Sequence, residues 1–194
     1  MNSCEPDVTK SRSCRLGPHW VTVECRGGKV TGVVLGKKGP RDDRRLAKDL
    51  ECVLDGGRIP EYLHVDTTGI YGFPRKVLGR CAGIRPGQVM TYSELARAAG
   101  SPRGERAAGQ VMANNPFALL IPCHRVVGSD SALHGFGGGL DMKEWLLARD
   151  GWQFEGKGKS RKLAGRLPQA QGFGRTVRQG PLKPSQARSA KSRG

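Results

Sequence analysis

The stretch IPCHRVVG, residues 121–128, sets a cysteine beside a histidine, with a proline before and an arginine after. A cysteine serves as nucleophile or metal ligand only as the thiolate. An unperturbed thiol pKa of about 8.5 leaves little of it ionised at neutral pH, so a neighbour must take the proton from Cys123. His124 is the adjacent base, acting directly or through a water, and Pro122 constrains the backbone that aims the thiol. A carboxylate on the second imidazole nitrogen would complete a Cys–His–acid relay. Asp150 is the candidate acid. It stands in the last turn of a helix, where the macrodipole disfavours a carboxylate, so it either gains a cationic or hydrogen-bonding partner or is a solvated terminal residue. Other readings of Cys123 stay open. A buried, inert thiol is the commonest fate of a single cysteine. Zinc wants three or four ligands, and an adjacent Cys-His pair is poor geometry for one ion. The glycine run GFGGG, residues 135–139, lacks the Lys-Ser/Thr of a phosphate loop, but it suits a tight pocket wall where a flat ligand meets bare backbone.

These residues need elements to hold them. HWVTVECRGGKVTGVVLG reads as a β-hairpin turning at Gly27-Gly28. DDRRLAKDLECVLDGG reads as a helix with Leu46, Leu50, Val53 and Leu54 on one face, an aspartate at its start and Gly56 at its end. IPEYLHVDTTGIYG is a connector, with a boundary near residue 68. Beyond it, Phe73, Val77, Leu78 and Cys81 make a helical stripe. TYSELARAAG follows with Thr91 and Glu94 at capping-box spacing and Gly100 just past the end. SPRGERAAGQVMANNP starts a second helix, with Ser101 as cap and Pro102 at the first position. Two short helices joined at a glycine read as a helix-turn-helix. The second is thin, through Ala107, Ala108 and Gly109, and basic, through Arg103 and Arg106. Small residues serve close helix packing or, alternatively, entry into a narrow nucleic-acid groove. FALLIP is an extended approach to the cysteine, and DMKEWLLARDG is a final helix burying Met142, Trp145 and Leu146. The fold class is therefore α/β (α+β), with a small front domain over residues 1–68, a helical domain over 69–155 and a tail over 156–194.

The 194 residues suit one large or two small domains, and 37% hydrophobic content supports a core. The formal net charge of +16 favours polyanionic partners, nucleic acid foremost. Residues 156–194 carry five Lys and six Arg and no acid, with many Gly, Pro, Ser and Gln. They are expected to be disordered, either as a solvated appendage or as a DNA tether. No apolar run is long enough to span a bilayer, and the polar start MNSCEPDVTK is no secretory signal. The six cysteines include no C-x-x-C pair and are expected to be thiols in a reducing compartment, the cytoplasm or a nucleus.

IPCHRVVG, followed by GFGGGLDMKEWLLARDG and preceded by TYSELARAAGSPRGERAAGQVMANNP, resembles the O6-alkylguanine-DNA alkyltransferases, also called methylated-DNA–protein-cysteine methyltransferases. The resemblance runs from about Phe73 to Trp152. It implies a ribonuclease-H-like front domain, a winged-helix-type alkyltransferase domain, no cofactor, and a monomer acting on double-stranded DNA containing O6-alkylguanine. In such proteins the lesion base is flipped out of the duplex and its alkyl group passes once, irreversibly, to the cysteine. Carried over, Cys123 is the acceptor, His124 the base acting through water, and Asp150 stands where the family has Glu. Tyr92 displaces a phosphate to drive flipping, and Arg106 fills the vacated stack. Ser93, Ser101 and Ser129 fall at DNA-backbone contacts, with Arg125 grouped among them. Ala107 and Gly109 make the groove-facing surface of the thin helix. Asn115 is a hinge before the active-site segment, and Phe136, where Tyr is usual, and Gly137 line the guanine pocket. Some relatives hold zinc in the front domain. Cys4, Cys25 and His64 fall near such positions without an evident fourth ligand, and no metal is expected. The rival classes are a non-enzymatic alkyltransferase-like lesion sensor, which lacks the acceptor cysteine, a thiol-sensing DNA-binding regulator, and a cysteine hydrolase.

Overall fold

The computed structural model describes residues 9–166. The front part is a three-stranded antiparallel sheet of β1 (Lys10–Leu16), β2 (His19–Arg26) and β3 (Lys29–Leu35), in the order β1-β2-β3. Gly27 and Gly28 both take positive φ, 56° and 76°, the backbone a two-residue hairpin turn requires. One face presents Cys14, Leu16, Val21, Val23 and Val30 to α1 (Arg44–Leu54). That helix buries Leu46, Leu50, Val53 and Leu54, as its periodicity predicts, and Asp43 caps it by accepting from the Leu46 N–H at 3.0 Å. β1 has no counterpart in the sequence reading. KSRSCRL offers only Cys14 and Leu16 as apolar residues, and its pairing with β2 supplies the rest of its stability. The connector is tied down too: the Val30 N–H donates to the His64 carbonyl and the Asp66 N–H to the Val30 carbonyl.

The second part runs α2 (Gly72–Ala82), β4 (Met90–Thr91), α3 (Tyr92–Ala98), α4 (Glu105–Ala113), β5 (Val126–Val127), α5 (Gly139–Arg149), β6 (Trp152–Glu155) and β7 (Lys162–Arg166). α2 buries Val77, Leu78 and Cys81. The capping box at α3 forms in full: Thr91 Oγ1 accepts from the Glu94 N–H, and Glu94 accepts from the Thr91 N–H at 2.7 Å. α3 ends in a Schellman motif, with the Gly100 N–H on the Arg97 carbonyl and the Ser101 N–H on the Ala96 carbonyl. β4 and β5 pair in parallel, joining the start of α3 to the segment just after Cys123. One apolar core runs through both parts. The Val33 N–H also donates to the Pro116 carbonyl at 2.7 Å, which fastens the front sheet to the chain approaching the cysteine.

Two expectations are corrected. The second helix of the pair starts at Glu105 with Gly104 as cap, so Ser101 and Pro102 belong to the turn before it. Ser101 accepts the Gly104 N–H in that turn, which consumes the residues read as a helix start. Residues 156–166, read as the beginning of a disordered tail, instead complete a hairpin of β6 and β7. Their Gly-, Lys- and Ser-rich composition is held by pairing outside the segment: the Leu163 N–H donates to the Ser131 carbonyl, and the Leu133 N–H donates to the Arg161 carbonyl. The tail from 167 onward and Cys4 lie outside the described residues.

Candidate active site

Cys123 opens a single 3-10 turn, Cys123–Arg125, that follows Pro122. The apolar segment before it is buried from Phe117 to Ile121, and Leu119 takes a positive φ of 73°. Asn115 sets this approach: its amide donates to the Ile121 carbonyl at 3.0 Å while its oxygen accepts the Phe117 N–H at 3.0 Å. The hinge residue of the sequence reading is thus the one that pins both ends of the segment.

The Cys123 side chain stands at the floor of a cavity of about 390 Å³ walled by Tyr92, Gly109, Met112, Ala113 and Gly135–Gly137. That volume lies in the range of small-ligand pockets, roughly 300–1,000 Å³. Tyr92 enters as the first residue of α3, Gly109 and Met112 from α4, and the glycine run from the loop before α5. Phe136 and Gly137, expected to line a guanine pocket, both line this cavity. Met112, Ala113 and Gly135 were missed there; the thin-helix spacing of Gly109 and Met112, three apart on one face, was the signal.

Burial raises the Cys123 thiol pKa, opposed by the Asn115 amide, the Lys143 charge and the backbone N–H groups of the turn. His124 is fully buried. Its pKa falls well below the usual imidazole value, first through burial and then through the Arg125 and Lys143 charges, so the ring is neutral and available as a base. Neither ring nitrogen has a hydrogen-bond partner among the described residues. The bond expected between Asp150 and His124 is not made: Nε2 lies 3.9 Å from Asp150 Oδ2. Arg125 occupies the carboxylate instead, with Nε donating to Oδ2 at 2.6 Å and an Nη to Oδ1 at 2.9 Å. A forked guanidinium makes two charge-assisted bonds where an imidazole makes one. It also answers the objection that a carboxylate at a helix C-terminus needs a cation. Burial still pushes the Asp150 pKa up, against the pull of Arg125.

Arg125 is a correction in its own right. Grouped by sequence with the DNA contacts, it is buried instead: its side chain is 5% exposed and its remaining N–H groups donate to the Ile84 carbonyl at 3.0 Å and the Leu54 carbonyl at 2.9 Å. One residue therefore latches the ends of α1, α2 and α5 to the turn that carries Cys123.

Lys143 is a buried charged residue beside the site that the sequence reading passed over. It lies on the buried face of α5 with Met142, Leu146 and Leu147, and its ammonium donates to the Val126 carbonyl at 2.7 Å and to the Leu133 carbonyl. Burial lowers its pKa to about 8, while the Cys123 and Cys81 thiols hold it up. A lysine inside an apolar helical stripe was the available signal. Its charge favours the ionised form of Cys123.

Of the residues expected at DNA, Arg106, Ala107 and Ser129 are exposed, and Ser93, Ser101 and Gly109 are half-buried. Burial raises the Tyr92 phenol to about 12, keeping it protonated, and its ring tilts against His134 at 6.0 Å. Cys14, Cys25, Cys52, Cys81 and Cys123 are unbridged. Among the described residues no group of three or more His, Cys, Asp or Glu side chains is placed to hold a metal.

Fold and site together define a class: a helix-turn-helix domain with a buried cysteine thiol facing a small pocket. Residues 72–152 match the family model described as the DNA-binding domain of 6-O-methylguanine DNA methyltransferase. A human methylated-DNA–protein-cysteine methyltransferase is 46% identical over 96 residues, 48% of this chain and 46% of that protein. Its counterpart from Methanothermobacter thermautotrophicus is 41% identical over 120 residues, 61% of this chain and 66% of that protein. The chain thus matches about half to two thirds of the length of these relatives. A Mycobacterium tuberculosis O6-methylguanine methyltransferase structure superposes with a TM-score of 0.61 at 25% identity, covering 74% of this chain and 93% of that one. The same protein in complex with DNA gives 0.59 at 25% identity, covering 72% and 92%.

Proposed function

We propose that this protein repairs DNA by moving an alkyl group, methyl foremost, from O6 of a flipped-out guanine to Cys123 Sγ. The observation that carries this reading is the placement of Cys123 at the floor of a cavity walled by Tyr92, α4 and the glycine loop, with Arg106 exposed on the same helix. In the transfer an Sγ–carbon bond forms and the carbon–O6 bond breaks. The thiol proton passes to neutral His124, through water, and guanine takes up one proton as it leaves. Lys143 stabilises the thiolate, and Asn115 holds the segment that presents it. The thioether product has no route back, so each molecule acts once. The glycine wall lets a planar base approach backbone, and extrusion is needed because a thiol cannot reach O6 inside the stack.

In this reading Tyr92 and Arg106 drive and hold the extrusion, Ser93, Ser101 and Ser129 contact the backbone, and α4 lies in the minor groove. The front sheet with α1 is taken as a ribonuclease-H-like domain and α3–α4 with the β4–β5 pair as a winged-helix-type unit. The protein works as a monomer, without a cofactor, where DNA is found. Asp150 acts on His124 at one remove, by fixing Arg125, the next residue of the same turn. The lesion-sensor reading is disfavoured by the presence of Cys123 in the pocket.

The test is intact mass after incubation with a duplex containing O6-methylguanine. One added methylene on the peptide carrying Cys123 is expected. No gain, or an equal gain in Cys123→Ala, removes the proposal.

A further inference from the structure

The hairpin of β6 and β7 extends past the matched family domain, which ends at residue 152. Its second strand is built onto the loop that walls the pocket. Ser131 and His134 in that loop take positive φ values of 64° and 50°, and the two backbone bonds to Arg161 and Leu163 hold the stretch between them. An exposed lysine, aspartate and histidine meet at this junction. Lys162 Nζ lies 3.8 Å from Asp130 Oδ2, and His134 Nε2 lies 3.9 Å from Asp130 Oδ1. Their side chains are 44%, 56% and 54% exposed. The His134 ring in turn leans on Tyr92 at the cavity mouth. Lys157 and Lys159 stand exposed in the hairpin turn without a carboxylate partner among the described residues. Arg161 is not available to a ligand, being spent on Asp141 and Glu144 of α5.

We propose that Lys162 and His134 form a phosphate-binding edge beside the pocket, adjoining Ser129, and that Asp130 is its internal counter-ion. The partner is the sugar–phosphate backbone of duplex DNA next to the extruded nucleotide, so the proposal rests on the DNA-repair reading above. An aspartate exposed next to a DNA-facing serine would repel phosphate. Lys162, supplied by the hairpin, offsets that charge in the free protein and turns to phosphate in the complex. A basic strip of this kind binds without reading sequence and releases counter-ions in proportion to the phosphates it neutralises.

The experiment is binding of an undamaged fluorescent duplex by the full chain across a salt series, with thermal unfolding of each variant alongside. Lys162→Gln is expected to weaken binding and to lower the slope of log K against log salt by about one. Asp130→Asn, which keeps an oxygen for the Ala132 N–H it now accepts, is expected to tighten binding several-fold. Opposite directions are the signature. If the ion pair merely braces the loop, both variants weaken binding alike, and that result, or an unchanged slope in Lys162→Gln, overturns the proposal. Failure of methyl transfer by the wild-type chain would instead strike the repair reading and leave these slopes to be judged on their own.

Discussion

The Cys123 thiol is under opposing effects on one atom. Burial alone holds Cys123 protonated, and the nearest remedy is the Lys143 ammonium. That ammonium is itself weakened by burial: its charge is fully present well below about pH 8 and is lost as pH rises through that value. Raising pH therefore ionises the thiol while removing the cation that favours its ionisation, and the rate of transfer should level off near pH 8 instead of climbing further. Lys143→Met deletes the cation outright. Its single-turnover rate at neutral pH is expected to fall by about tenfold or more, and its rate–pH profile to move to higher pH, since one lost charge contact is worth a pKa unit or more. A slower variant with an unshifted profile would mean that Lys143 only holds the Val126 and Leu133 carbonyls. The sequence made Cys123 and His124 plain because their chemistry is local. It hid Lys143 because a lysine in a helix is ordinarily solvated, and only the tertiary fold shows two carbonyls waiting for it.

At the scale of elements, α3 and α4 were legible through caps and spacing: the Thr91–Glu94 box and Gly100 mark one helix, and the alanines mark the thin second one. The start of α4 was misplaced because Ser-Pro is a good helix opening in isolation, whereas here the turn consumes it. β1 and β7 were invisible for a shared reason. Neither carries an alternating apolar pattern of its own, and each exists because a partner strand or loop offers backbone groups to pair with. α4 also carries the next prediction. Arg106 is exposed at its first turn, while Gly109 and Met112 on the same helix face the cavity. Flipping loads the helix only when the base must be kept out of a duplex. Arg106→Ala is therefore expected to slow transfer from O6-methylguanine in duplex DNA by tenfold or more, in line with an unstacking cost of a few kcal/mol, yet to slow transfer from free O6-benzylguanine far less. Equal losses on the two substrates would strip Arg106 of that role.

Across the whole molecule, the site depends on a residue that sequence reasoning grouped with the DNA contacts. Arg125 follows Cys123 by two positions but spends its guanidinium on Leu54, Ile84 and Asp150, which are 71, 41 and 25 residues away in sequence. No local pattern could announce partners that distant, two of them backbone carbonyls. The exposed Arg149–Asp55 pair repeats the α5-to-α1 tie at the surface, where it contributes little. The buried latch is different in kind. Arg125→Met leaves a 4% exposed carboxylate without its cation and two carbonyls without donors, which costs about 3–5 kcal/mol. Urea unfolding of the full chain should show that loss. In Arg125→Met/Asp150→Leu, where no unpaired charge stays buried, part of it should return, making the pair strongly non-additive. A DNA-contacting arginine would behave otherwise, with Arg125→Met folding normally and only the salt dependence of duplex binding reduced. Unfolding within about 1 kcal/mol of wild type, the level of an ordinary surface change, would thus return Arg125 to the DNA surface and leave Asp150 free to serve His124 alone.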